Sequence, residues 1–122
     1  MGDVADHRKL LVWQEAIKLA ELAYQETSRF PANEIFGLQA QIRRSATSIP
    51  ANIAEGAGKN TLKELFHSLG IASGSRAELD THLHIASRLG YVRANSELFE
   101  TLDRVARLLS GLRKSIRRRA GL

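Results

Sequence analysis

Seven cations crowd the end of this 122-residue chain without one counter-charge among them. Arg104, Arg107, Arg113, Lys114, Arg117, Arg118 and Arg119 all follow Asp103, the last of the thirteen acidic residues. On a helical wheel set by Leu102, Leu109 and Ile116, four of them lie nearly opposite that apolar direction: Arg104, Arg107, Lys114 and Arg118. A cationic stripe of this kind can track phosphates, with an affinity that falls as salt rises and is indifferent to base sequence. The same residues admit two other readings. Cations suit the C-terminus of any helix on dipole grounds, and Glu97, Glu100 and Asp103 suit its start, so the stripe can be a solvated helix end. A basic amphipathic helix can also rest on an anionic membrane surface.

A second polar set surrounds Pro50. Gln41, Arg44, Ser48, Asn52 and Glu55 recur at spacings of three and four, which places them on one side of a helix, with Arg43 beside them. They can form a ligand groove or a polar subunit contact. Alternatively, Ser45, Thr47 or Ser48 repairs the backbone near the proline while Arg44 and Glu55 pair with other helices. The structural alternative is the expected one, because buried polar groups must be satisfied.

Metal and catalytic chemistry find little to work with. Glu64-x-x-His67 is half of a di-iron bundle motif, and the second copy that such a site needs is missing. Glu78 with His82 and Asp80 with His84 are i,i+4 pairs that suit an exposed helix surface better than a metal. Ser73-Gly-Ser75 falls within a helical pattern, where serine is commonly a packing residue. No cysteine is present, which excludes disulfides, thiolate zinc sites and thiol nucleophiles. No phosphate-binding glycine loop or nucleophile elbow occurs. The expectation is a protein that is not an enzyme and holds no metal or cofactor.

The elements that must position these residues are helical. Trp13, Ile17, Ala20 and Tyr24 form one stripe and Val12, Ala16, Leu19 and Ala23 its neighbour, predicting a helix over about 11–29 closed by Phe30-Pro31. Asn33 is a plausible N-cap for a helix over about 34–57. Pro50 within it loses a backbone N–H and crowds the Ala46 carbonyl, at about 3 kcal/mol in a helix interior, so a kink is expected there. Thr61-x-x-Glu64 reads as a capping box opening a helix over about 61–89, with Gly90 as its left-handed stop. Gly70, Ser73, Gly74 and Ala77 are small, which predicts close helix–helix approach. The last helix covers about 96–119, its apolar seam made by Leu98, Leu102, Val105, Leu109, Leu112 and Ile116. Four helices with short connections in one domain predict an all-α, up-down-up-down four-helix bundle. The segment MGDVADHRKL has no apolar signal core, and Asp6 stands where myristoylation of Gly2 would need Ser or Thr. A cytoplasmic protein without a membrane span is expected.

The blocks VWQEAIKLA (12–20), FP (30–31), FGLQAQIRRSATSIPANIAEG (36–56), Lys63-Glu64 and IASGSRAELDTHL (71–83) carry a recognisable pattern. It resembles the 23S rRNA intervening-sequence protein family over roughly residues 10–92. Ser68 and Gly70 depart from that pattern, where an aromatic residue and a serine are commoner. The resemblance implies a four-helix bundle that assembles into a ring, typically a homopentamer. It also implies distant kinship to the accessory protein of diversity-generating retroelements, which binds nucleic acid and a reverse transcriptase. The two apolar stripes of the first helix fit assembly independently, since a lone bundle buries one stripe. Trp13 and Tyr24 are then candidate subunit contacts, the alternative being a central first helix with Trp13 simply in the core, and Arg43, Arg44, Pro50, Asn52 and Glu55 are interface or structural residues. The expected function is that of an oligomeric binding module that contacts nucleic acid, RNA in preference, through Arg104, Arg107, Arg113, Lys114, Arg117 and Arg118. The alternative is a scaffold ring for an unidentified protein partner.

Overall fold

The computed structural model describes residues 6–122, so the reading of Gly2 and of the first five positions lies outside the described residues. Four α-helices make up the chain, with no strand among those residues: α1 (Leu11–Thr27), α2 (Leu38–Ala57), α3 (Leu62–Arg88) and α4 (Glu97–Ala120). Short 3₁₀ turns at His7–Lys9 and Ala32–Glu34 precede α1 and α2. Each helix packs against two others, α1 on α2 and α4, α3 on α2 and α4, which closes a four-helix bundle.

The cross-helix contacts run in opposite directions along every neighbouring pair. Arg43 of α2 reaches Tyr24 and Thr27 at the end of α1. Ser48 meets Ser75 in mid-bundle, and Gly56 lies against Ser68 and Leu65 one end further on. Arg113 of α4 covers Phe66 near the start of α3, while Phe99 meets His84 near its end. Glu15 pairs with Arg104 and Lys18 with Glu97. The helices therefore alternate up and down.

The core follows one of the two predicted stripes of α1 and the predicted seam of α4. Val12, Ala16, Leu19 and Ala23 bury the inner face of α1, and Ile42, Ala46, Ile49 and Ile53 that of α2. Leu65, Leu69, Ala72, Leu79, Leu83 and Ala86 of α3 meet Leu98, Leu102, Val105, Leu109 and Ile116 of α4.

Local chemistry sets the helix ends. Thr27 and Ser28 turn their hydroxyls onto the carbonyls of Ala23 and Gln25, and the N–H groups of Arg29 and Phe30 bond three residues back. The backbone tightens there, so α1 stops two residues before the predicted Arg29. The second helix starts at Leu38, four residues later than the predicted Glu34, and Asn33 does not cap it. Glu34 instead accepts from the Leu38 N–H through its carboxylate (3.2 Å), around a Gly37 whose backbone is non-helical. A Cβ on Gly37 would sit 2.5 Å from that carboxylate oxygen.

The predicted capping box at α3 forms by half. The Glu64 N–H donates to Thr61 Oγ1 (3.1 Å), but the Glu64 carboxylate takes the Thr61 hydroxyl proton (3.0 Å) rather than its backbone N–H. Gly90 has φ +82°, with Gly90 N–H on Ser87 and Tyr91 N–H on Ala86, a complete Schellman stop. Ser96 caps α4 by accepting from Leu98 N–H and donates to Glu26 of α1, tying the connection to the bundle.

The α-helix α2 runs on through Pro50, whose ring is buried. The expected hydroxyl repair at the proline does not occur among the described residues. Ser45 and Thr47 donate to Gln41 and Arg43, one turn earlier, and Asn52 donates to the Ser48 carbonyl. None reaches the Ala46 carbonyl, because each hydroxyl is already used on its own i−4 partner or across the bundle.

Gly56 is the point of closest approach. A Cβ there would fall 2.8 Å from the Ser68 Cβ and 3.0 Å from Leu65 Cδ1, so glycine and a small residue at 68 go together. Gly74 has nothing within 4 Å of such a Cβ, and the close approach expected of it within the chain is absent. Gly56→Ala is expected to lower thermal stability, since overpacking of about 1–3 kcal/mol exceeds a helical gain of ~1 kcal/mol. Gly74→Ala is expected to raise it by up to ~1 kcal/mol. Denaturant melts of the two variants beside the intact chain check both signs.

Candidate nucleic-acid interface

The second half of α4 is held by Leu109 and Ile116 against α3, and its cations divide into three environments. Arg104 is exposed but paired: its Nη1 donates to Glu15 Oε1 at 2.6 Å, which pushes the guanidinium still further above its ordinary range. Arginine is charged at every working pH, so the shift changes no charge. The expectation of four outward cations is thereby reduced. Glu15, 89 residues away in sequence, neutralises the first of them.

Arg107, Lys114 and Arg118 keep the predicted outward placement. All three are exposed and make no hydrogen bond or ion pair among the described residues. Arg118 and Arg119 stand in the last turn, where the helix dipole favours cations, and Glu97 and Glu100 stand in the first.

Arg113 and Arg117 turn toward α3. The Arg113 guanidinium lies 4.7 Å over the Phe66 ring, half-buried, and its buried Nε has no hydrogen-bond partner. Gly70 makes room for it, since a Cβ there would come 3.3 Å from Arg113 Nη2. The small residue at 70 therefore serves a side chain and not the predicted backbone approach. Arg117 Nε donates to the carbonyl of Leu122 (3.3 Å). On one side of Arg113 a cavity of about 650 Å³ is lined by Lys63, His67, Ile71 and Leu122. On its other side a cavity of about 350 Å³ is lined by Arg76, Lys114, Ser73 and Ser110.

Arg76, Phe66, Ser73 and Ser110 were absent from the sequence-level site. Their only signal is the helical spacing of Phe66, Gly70 and Ser73 on one face of α3, which cannot reveal that α4 brings Arg113 to it.

The model of the family described as 23S rRNA-intervening sequence protein matches residues 8–111. The chain belongs to this family. Among curated proteins none matches it. The family match covers α1 to α3 and the first part of α4. Arg113, Lys114, Arg117 and Arg118 lie beyond it, so the bundle is the shared part and the basic end is read from this chain's own residues.

The polar set around Pro50 is not gathered into one site. Arg43 clamps the C-terminus of α1, donating to Thr27 Oγ1 (2.9 Å) and the Tyr24 carbonyl (3.3 Å) while covering the Tyr24 ring at 4.5 Å. Arg44 only grazes Gln41 (3.5 Å). Ser48, Asn52 and Ser75 form a half-buried hydrogen-bonded bridge between α2 and α3. Glu55 pairs with Lys59 at the surface. Trp13 is half-buried against the core with His7 at its edge (5.1 Å), and Tyr24 stays exposed beneath Arg43.

The metal-ligand spacings resolve into local pairs. Glu64 is engaged by Thr61, Asp80 holds His84 at 3.3 Å, and His82 keeps a buried Nδ1 without a partner. Among the described residues, no three His, Asp or Glu side chains come together as ligands. No helix among them is long and apolar enough to cross a membrane.

Arg43 supplies the cation that the last turn of α1 lacks. Arg43→Gln is expected to cost about 1–2 kcal/mol through lost charged hydrogen bonds and ring contact. Arg44→Gln, exposed and barely bonded, should stay within about 0.5 kcal/mol of the intact chain. Urea denaturation midpoints of the two variants separate the clamp from its neighbour.

Proposed function

We propose that this protein is a non-catalytic, oligomeric binding module that contacts nucleic acid, RNA in preference, through the basic end of α4. The observation that carries the reading is the solvated trio Arg107, Lys114 and Arg118, exposed and unpaired among the described residues on a stretch without acid. Such charges attract a phosphate backbone and release its counterions. Kinship with the family supports assembly into a ring, typically of five copies, in which a kink at Pro50 helps to shape the subunit contact. A ring would repeat the stripe and convert a weak contact into avidity. The setting is cytoplasmic and the bundle works without cofactor or metal.

A second reading is a scaffold ring that presents a surface to a protein partner. It is favoured by Phe36, 95 % exposed, beside the exposed Ile35 on the connection between α1 and α2. Two adjacent large apolar side chains held out in water suit burial against another chain. With Tyr24 and Trp13 they are the candidate contacts between copies.

Binding of fluorescent single-stranded RNA, duplex RNA and duplex DNA at two salt concentrations tests the first reading. The intact chain is expected to bind with an affinity that falls steeply with salt. The Arg107→Gln, Lys114→Gln, Arg118→Gln variant should lose most of it, with the salt slope reduced by about 0.7–0.9 for each phosphate contact removed. Absence of binding at low salt makes the scaffold the better reading. For assembly, Phe36→Asp is expected to lower the mass seen by light scattering at micromolar protein without loss of helicity. A monomeric mass for the intact chain would remove the ring altogether.

A further inference from the structure

We propose that the smaller groove between α3 and α4 is a phosphate seat: one phosphate group enters it, while other backbone phosphates of an RNA lie along the exposed stripe. The RNA part rests on the nucleic-acid reading above; the phosphate part stands on the groove itself. Four cations line this cavity of about 350 Å³: Arg76 from α3 and Arg113, Lys114 and Arg117 from α4, with Ser73 and Ser110 among them. No carboxylate side chain lines it, and none of the four cations pairs with one among the described residues; Arg117 Nε meets the main-chain oxygen of the last residue, Leu122.

A cavity of that size is roughly 9 Å across, comparable to the screening length of ~8–10 Å at physiological salt, so its cations repel one another. Elsewhere in the bundle cations meet acids across helices, Glu15 with Arg104 and Glu97 with Lys18. Here the uncompensated charge is held in place by apolar contacts. Phe66 supports the Arg113 guanidinium from below, Gly70 admits it, and its Nε is buried with no acceptor. A planar fork fixed without an internal anion is pre-organised for an external one.

The chemistry of the lining selects the class of anion. One carboxylate offers about four acceptor sites on two oxygens, and a single guanidinium fork fills two of them. Three guanidiniums, an ammonium and two hydroxyls supply more donors than a carboxylate can accept, and match the several oxygens of a phosphate. The seat also has an arm outside α4. Arg76 takes no part in the exposed stripe, so its removal separates the groove from the stripe.

The experiment measures anisotropy of labelled single-stranded RNA across several salt concentrations for the intact chain, Arg76→Gln and the Arg107→Gln/Arg118→Gln pair. Arg88→Gln, the same charge change at the far end of α3, is the control, and helicity and mass are checked for each. Arg76→Gln is expected to weaken binding at least about fivefold and to flatten the salt slope by about 0.7, the share of one phosphate on a single strand. Ser110→Asp, which places a carboxylate in the groove, should act in the same direction. Inorganic pyrophosphate, the probe for a free phosphate source, should displace RNA from the intact chain and bind Arg76→Gln weakly. If Arg76→Gln and Ser110→Asp bind RNA as Arg88→Gln does while the stripe variant does not, the seat is wrong and the stripe reading survives. If the intact chain binds no RNA yet binds pyrophosphate in an Arg76-dependent way, the seat stands as a site for free phosphates and the RNA reading fails. Failure to bind either probe overturns both.

Discussion

The approach of α2 to α3 at Gly56 and Ser68 is the constraint on which the rest of this bundle depends. Backbones come close only where neither partner carries bulk, and a single Cβ at position 56 would meet that of Ser68. The contact lies one residue before α2 ends and within two turns of where α3 begins. It therefore fixes the register of the hairpin they form. The Ser48–Ser75 hydrogen bond, 2.8 Å and half-buried, holds the same register two turns further along. With α3 so placed, Phe66 and Gly70 face α4 and receive Arg113. A looser α2–α3 pair would carry α3 away and leave that guanidinium without its ring.

Charge is arranged by a different rule at each level of the bundle. Toward the end where α4 starts, cations and carboxylates meet across helices: Lys18 with Glu97, Glu15 with Arg104, Ser96 bridging to Glu26. Such surface pairs add little stability in water, but they neutralise that end. Along the rest of α4 the acids run out. Arg107, Lys114 and Arg118 are left to solvent, and Arg113 is left to an aromatic face. The helix dipole tolerates cations in the last turn of α4 and does nothing for Arg107 or Arg113, which stand further back. The uneven charge along α4 is therefore a consequence of sequence, since the core does not require cations at the exposed positions of Arg107 and Lys114.

What could be read in the sequence was what local chemistry decides. The stop at Gly90 needs only a residue that accepts positive φ, and it is where the spacing puts it. The inner apolar stripe of α1 and the seam of α4 were legible for the same reason, as periodicity reports the buried face directly. The start of α2 was not, because Glu34 caps it from four residues upstream with a carboxylate rather than with the adjacent Asn33. The roles of Arg104 and Gly70 were hidden more deeply. One depends on Glu15 in α1, the other on Arg113 in α4, and a helical wheel contains neither neighbour. Arg43 belongs with them: its spacing joined it to Arg44 and Asn52, while its bonds join it to α1.

The two walls of the basic groove differ in standing. Phe66, Gly70, Ser73 and Arg76 lie within the span that matches the family, and Arg113, Lys114 and Arg117 lie beyond it. The α3 wall is tied to the bundle, because α3 packs on α2 through Ser68 and Ser75 and on α4 through its leucines. The α4 wall is freer. Its exposed positions pack on nothing, so their charge can change without disturbing the core. Arg113 is the exception that joins them, since it is at once a packing residue on Phe66 and a donor facing the groove. A chain that kept the bundle but replaced Arg113 would have to fill the space above Gly70 with something else. The glycine and the arginine therefore form one unit, and the groove exists because both are present.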